Sequence, residues 1–175
     1  AVSIPPAPLP LKRKADWRLE ERPARGCIGL PMAFAFHILG TSSSGNCSIL
    51  ECDGTRVMLD AGFQGPRLEA SLQRLGTEAR ALDAVFITHE HGDHCVGLAA
   101  LLRQNPSLKV FANRETARRI QGTLKIRPDW QLFETGSTFD FRGLTVTAIP
   151  IPHDAADPVG FALDCPAGDR SEEHT

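Results

Sequence analysis

The stretch "FITHEHGDHCVGL", Phe86–Leu98, decides how the rest of the chain is read. Three of the six histidines in 175 residues, His89, His91 and His94, fall within it, with Asp93 among them. "ALDAVFITH" reads as a buried β-strand leading into it, and "HCVGLAALLRQNP" as a helix leading out, stopped by Asn105 and Pro106. In an extended segment, residues two apart point the same way, so His89 and His91 can present their imidazoles to one ion. Asp93 and His94 follow where the chain enters the helix and face a neighbouring position, which suits two metals rather than one. Four metal-type side chains between His89 and His94 have no packing rationale, which argues against a loop of surface histidines. The mixed imidazole and carboxylate set suits zinc; manganese or iron would also accept it.

Outward from this cluster, the N-terminal side is rich in short β segments. "FHILG" is a strand, and "NCSILECDGTRVMLDAG" reads as two strands joined by Asp53 and Gly54, a strong hairpin signal. "GPRLEASLQRLG" puts Leu68, Leu72 and Leu75 at helical spacing, opened by Pro66 and closed by Gly76. Beyond the cluster, "LKVFAN" is a strand, "RETARRIQG" a helix ending at Gly122, and "STFDFRGLTVTAIPIPHDAADPVGFALD" several strands with a turn at Arg142 and Gly143. A hairpin-led sheet followed by β/α alternation implies an α/β layered architecture with helices packed over sheets.

Bulk composition narrows the function classes. Hydrophobic residues at 42% and charged residues at 23% are ordinary for one globular domain. A net charge of −2 gives no whole-molecule attraction to nucleic acid, so a polynucleotide would have to be held by a local patch. Arg103, Arg114, Arg118 and Arg119 can bind phosphates, yet helix arginines usually form a solvated face. Five cysteines, Cys27, Cys47, Cys52, Cys95 and Cys165, contain no C-x-x-C pair and fit neither a disulfide framework nor a zinc knuckle. A reducing, cytoplasmic setting is the simpler reading. The apolar stretch "CIGLPMAFAFHILG" is too short for a bilayer and is broken by Pro31 and His37, so no membrane span or export signal is expected.

Both ends read differently from the middle. Residues 1–31, rich in proline and charge without hydrophobic period, read as a disordered or non-native leader, with Met32 as the candidate start. The final "RSEEHT", Arg170–Thr175, equals the translation of a common sequencing adapter and reads as an artefactual tail. Residues 32–169 are the expected domain.

The run His89, His91, Asp93, His94 matches without a gap the H-x-H-x-D-H signature, and the chain thereby resembles the metallo-β-lactamase superfamily. The resemblance implies the N-terminal half of a four-layer αββα sandwich. It implies that His89, His91 and a later histidine bind one metal, while Asp93 and His94 bind a second. His153, in "IPIPHDAADPVGFAL", is the candidate for the later histidine. Asp60, at the end of "RVMLDAG", matches an aspartate that orients a ligand histidine or the ligand loop. Thr88 is expected to help set that loop through its hydroxyl.

Three stretches, "LGTSSSGNCSIL", "ITHEHGDHCVGL" and "HDAADPVGFAL", look most like the WalJ/YycJ group of exonuclease-like hydrolases, although "HGDHCVGL" alone also resembles ribonuclease Z. The resemblance implies a binuclear phosphodiesterase of the 5′ to 3′ exonuclease kind, with two zinc ions per complete site and a metal-bound hydroxide as nucleophile. Asp93 is the candidate catalytic residue, holding the attacking water and managing its proton. Ser42–Ser44 and Asn46 are candidate phosphate donors. The family pattern also needs a bridging aspartate and a final histidine that this chain lacks; Asp164 comes one strand too early, and His174 lies in the suspect tail. The chain is therefore expected to be truncated and poorly active alone. A thioester or lactone hydrolase, or a non-hydrolytic metal-binding or redox module, are the alternatives. Nucleic acid or another phosphodiester is the expected partner, and no protein partner is indicated.

Overall fold

The computed structural model describes residues 34–165. The leader read over 1–31 and the tail over 170–175 lie outside the described residues. The chain opens with three antiparallel strands, β1 (Phe34–Ser42), β2 (Gly45–Cys52) and β3 (Thr55–Leu59). Asp53 and Gly54 join the last two, both at positive φ, as a two-residue hairpin between right-twisted strands requires. Helix α1 (Gly65–Arg74) begins with Pro66 in its first turn and turns Leu68 and Leu72 into the core. Strand β4 (Ala84–Phe86) then lies parallel to β3 and is buried throughout, with Val85 facing the helices and Ala84 and Phe86 the opposite side.

The helix expected from His94 to Gln104 is two helices: a single turn α2 (Gly92–Cys95) and then α3 (Leu98–Gln104). The break falls at Gly97, whose N–H donates to the Ala61 carbonyl at 2.8 Å. A β-carbon at Gly97 would sit 2.3 Å from the Phe63 carbonyl oxygen, so only glycine lets the two backbones approach this closely. Strand β5 (Lys109–Asn113) and helix α4 (Arg114–Thr123) follow, the Asn113 side chain capping α4 by accepting from Thr116 N–H at 3.0 Å. Strand β6 (Asp129–Phe133), absent from the sequence reading, pairs with β5 and is tied to α4 by Trp130 Nε1 donating to Gln121. Strands β7 (Thr138–Phe141), β8 (Leu144–Pro150) and β9 (Val159–Asp164) form a separate antiparallel sheet.

The result is a six-stranded mixed sheet, ordered β1 to β6, with helices on one face and the three-stranded sheet on the other. One core, including Ile49, Met58, Leu68, Val85, Leu98 and Val110, lies between helices and large sheet. The second, including Leu50, Phe86, Phe111, Phe141 and Val146, lies between the sheets. These are the α, β and β layers of the expected sandwich; a fourth, helical layer is not seen among the described residues. The small sheet also leaves part of the large one uncovered. Phe34, Phe36 and Ile38 pair with Cys52, Leu50 and Ser48, so they extend the inter-sheet face, yet they are 58%, 47% and 62% exposed.

One expectation is corrected here. Cys52 and Cys165 are joined as a disulfide, 113 residues apart in sequence. Cysteine spacing gave no sign of it because the two meet only once the small sheet folds over the large one. No helix among the described residues is long and apolar enough to cross a membrane.

Candidate metal centre

The parallel part of the large sheet aims the carboxyl ends of β3, β4 and β5 at one edge, where ligand sites of open α/β sheets ordinarily lie. Asp60 leaves β3 there, Thr88 and His89 leave β4, and Asn113 ends β5. Asp60 is buried and sits at φ +56°, a conformation a non-glycine residue adopts only when its surroundings hold it. The surroundings are evident. Asp60 N–H donates to the Phe86 carbonyl at 2.9 Å, and Ala61 N–H to the His94 carbonyl at 2.7 Å. Gly62 N–H donates to the Asn46 carbonyl at 2.9 Å. A β-carbon at Gly62 would fall 1.7 Å from the Asp93 carbonyl oxygen, so this strip is pressed flat against the signature loop.

The Asp60 carboxylate organises that loop. It accepts the Thr88 backbone N–H at 2.8 Å, the Thr88 hydroxyl at 2.9 Å, and His94 Nδ1 at 2.7 Å. With its proton committed to Asp60, the Thr88 hydroxyl has a lone pair for His89 Nδ1–H, 2.9 Å away. This assignment of tautomers makes Nε2 the unprotonated nitrogen of both His89 and His94. His94 Nε2 then accepts from the Asn46 amide at 3.0 Å, and it lies 3.5 Å from Asp93 Oδ2. Asn46 also donates to Asp93 Oδ2 at 3.1 Å and to the Ser42 carbonyl at 3.2 Å.

His89 Nε2 has no such neighbour: it is buried and without a hydrogen-bond partner. The rings around it are imidazoles. His91 and His153 stand with ring centroids 4.7 Å from that of His89, and 5.1 Å from each other. One ring nitrogen from each of the three lies within 4.8 Å of the others. His89 is buried, His91 half-buried and His153 exposed, so the group opens outward from the sheet edge. The buried His89 nitrogen lone pair with nothing to accept is costly, and a cation held between it and the His91 and His153 imidazoles removes that cost. The donor set therefore fits a metal ion.

Protonation follows the same geometry. Burial, aided by the neighbouring His94, pulls the His89 pKa down to about 4, so the ring is neutral and able to bind a cation over the neutral range. Burial opposes charge on His94 too, yet the Asp60 hydrogen bond and the charges of Asp60 and Asp93 outweigh it and raise that pKa. The thiol of Cys95, pushed up to about 11 mainly by burial, is no thiolate ligand; it donates to the Glu90 carbonyl at 3.3 Å.

His89, His91 and His153 are thus brought together. Asp93 and His94 are adjacent to each other beside them, and Asp60 and Thr88 stand behind. Two contributors were read otherwise or missed. Asn46, a candidate phosphate donor by sequence, touches Asp93 and His94 directly. Asn113, whose N-cap position was the available signal, holds the Asp157 carbonyl in the loop after His153.

A three-histidine cluster at the carboxyl edge of a layered α/β/β domain defines the class: a metallo-β-lactamase fold. Residues 55–171 match the family model of the beta-lactamase superfamily domain, and the chain belongs to that superfamily. It is 30% identical over 131 residues to exodeoxyribonuclease WalJ of Streptococcus pneumoniae, covering 73% of this chain and 48% of that protein. It is also 29% identical over 120 residues to thioesterase pkgB of Emericella nidulans, covering 68% of this chain and 32% of that one. A solved B3 metallo-β-lactamase with an active-site glutamic acid aligns at a TM-score of 0.63 and 19% identity, over 81% of this chain and 59% of the other. The chain spans about half the length of the exonuclease relatives it matches.

Proposed function

We propose that this domain is part of a metal-dependent phosphodiesterase acting on nucleic acid, with 5′ to 3′ exonuclease action as the specific form. One observation carries the reading: the buried, partnerless Nε2 of His89 beside the imidazoles of His91 and His153. In this reading those three histidines hold one ion, zinc by the chemistry of nitrogen donors, and Asp93 with His94 holds a second. A metal bound there supplies Lewis acidity toward a phosphoryl oxygen and acidifies a water.

The protein's own groups do the rest. Asp60 and Thr88 fix the tautomers of His94 and His89, so that each offers a lone pair rather than a proton. The Asp93 carboxylate, steadied by Asn46, receives the proton of the attacking water. The exposed Ser42–Ser44 turn, next in sequence to Gly45 and Asn46, offers hydroxyls to a phosphate. The similarity to WalJ supports a nucleic-acid substrate. The similarity to pkgB supports a second reading in which the same centre cleaves a thioester.

An oligonucleotide labelled at its 3′ end, incubated with the zinc- or manganese-loaded protein beside a panel of acyl thioesters, separates the two. Slow progressive loss of 5′ nucleotides, abolished in His91→Ala, is the expected outcome, since this chain alone is expected to be poorly active. Thioester cleavage with an intact oligonucleotide would replace the first reading by the second.

A further inference from the structure

Glu90 lies between His89 and His91, and alternation along an extended segment carries it to the side away from their imidazoles. Its Oε1 accepts the backbone N–H of Ala156 at 2.9 Å and lies 3.6 Å from Arg119 Nε on α4. Its Oε2 is buried without a hydrogen-bond partner.

What Glu90 grips is the loop that bears the third histidine. His153 is exposed, so packing around its own side chain does little to hold it. The loop is secured instead at its far end. Asn113 donates to the Asp157 carbonyl, Thr135 to the Asp157 carboxylate at 2.8 Å, and Val159 N–H to the Thr88 carbonyl at 3.1 Å. Ala155 N–H turns back onto the His153 carbonyl at 3.0 Å, so the residue next to Ala156 is tied to His153 itself. Among these anchors Glu90 is the one side chain that belongs to the segment carrying His89 and His91.

We propose that Glu90 is a positioning residue, a strut that couples the loop of His153 to the segment of His89 and His91 and so presets the three imidazoles for one cation; this rests on the metal reading above. The backbone distance between Glu90 and Ala156 then sets the spacing of the rings before any ion arrives. Preorganisation of this kind appears in affinity rather than in fold stability.

The test uses Glu90→Met, which fills similar volume but accepts no hydrogen bond, and Glu90→Gln, which retains an acceptor. Cobalt(II) is titrated into each metal-free chain by its visible absorption, alongside thermal melts and amide exchange at Ala156. Three results together support the proposal. Glu90→Met binds cobalt about ten- to a hundredfold more weakly with little change in melting. Its Ala156 amide exchanges faster, and Glu90→Gln stays within about fivefold of the wild type. Equal cobalt affinity in wild type and Glu90→Met overturns the proposal and leaves the metal reading standing. No cobalt uptake by the wild type overturns the metal reading and the proposal with it.

Discussion

The Asp60 carboxylate and His94 Nδ1 meet at 2.7 Å across 34 residues of sequence, and the same carboxylate takes two hydrogen bonds from Thr88. One buried acidic group therefore fixes two successive parts of the histidine loop. Its removal strands three donors at once.

Asp60→Ala is accordingly expected to destabilise the metal-free domain by about 2–4 kcal/mol, since each buried unpaired donor costs about 1–3 kcal/mol and some will find water. Metal affinity should fall by about 10- to 100-fold, the usual effect of losing a group that orients a ligand. Denaturant titration and metal titration read the two effects separately. A variant within about 0.5 kcal/mol of the parent would mean that the loop is held by other contacts.

Gly62 and Gly54 make a paired test of close approach. Gly62→Ala drives a methyl into the Asp93 carbonyl and should cost about 3 kcal/mol or more, because backbone rather than a flexible side chain must move. At Gly54 nothing lies within 4 Å, and alanine there should cost only about 1 kcal/mol for its positive φ. Thermal unfolding of both variants should rank them in that order, and the reverse order would be inconsistent with the strip packing described.

His89 and the half-buried His94 should titrate in opposite directions in metal-free protein. The pKa of His89 is lowered to about 4, so the folded state resists a proton that the unfolded state accepts. Its contribution costs stability as pH falls from about 6.5 toward 4. The pKa of His94 is raised, so its contribution is present below about pH 6.5 and is lost as pH rises through the folded value. Histidine proton shifts followed by NMR should place one resonance well below and one above the ordinary value. Two midpoints near 6.5 would contradict the hydrogen-bond assignment.

On the uncovered face of β1, Phe36→Ser should leave stability within about 0.5 kcal/mol, since the ring is 47% exposed. Paired with Ile38→Ser it should reduce self-association, because an exposed apolar edge strand invites contact. Sedimentation at several concentrations reads this directly; a loss of several kcal/mol would show that the strip is packed.

The histidine cluster was legible in the sequence because its ligand candidates are close in sequence and alternate on a strand exit, so local geometry alone aims His89 and His91 together. The Asp53–Gly54 hairpin and α1 were legible for the same local reason. His153 needed the resemblance, since nothing near it specifies partners more than 60 residues away. Contacts that exist only after the layers close were not legible: the Cys52–Cys165 bridge, Glu90 on Ala156, and Asn46 on His94. The strand Asp129–Phe133 is not legible because five residues with a single alternation give too short a period to stand out. The break at Gly97 depends on a backbone more than 30 residues earlier, which helical periodicity cannot register.

The most direct measurement is anomalous diffraction at the zinc edge from crystals of the zinc-loaded chain. An ion about 2.0–2.1 Å from His89 Nε2 and from one ring nitrogen each of His91 and His153 is the predicted result. Zinc bound elsewhere, or these three rings left without an ion at saturating zinc, would contradict it.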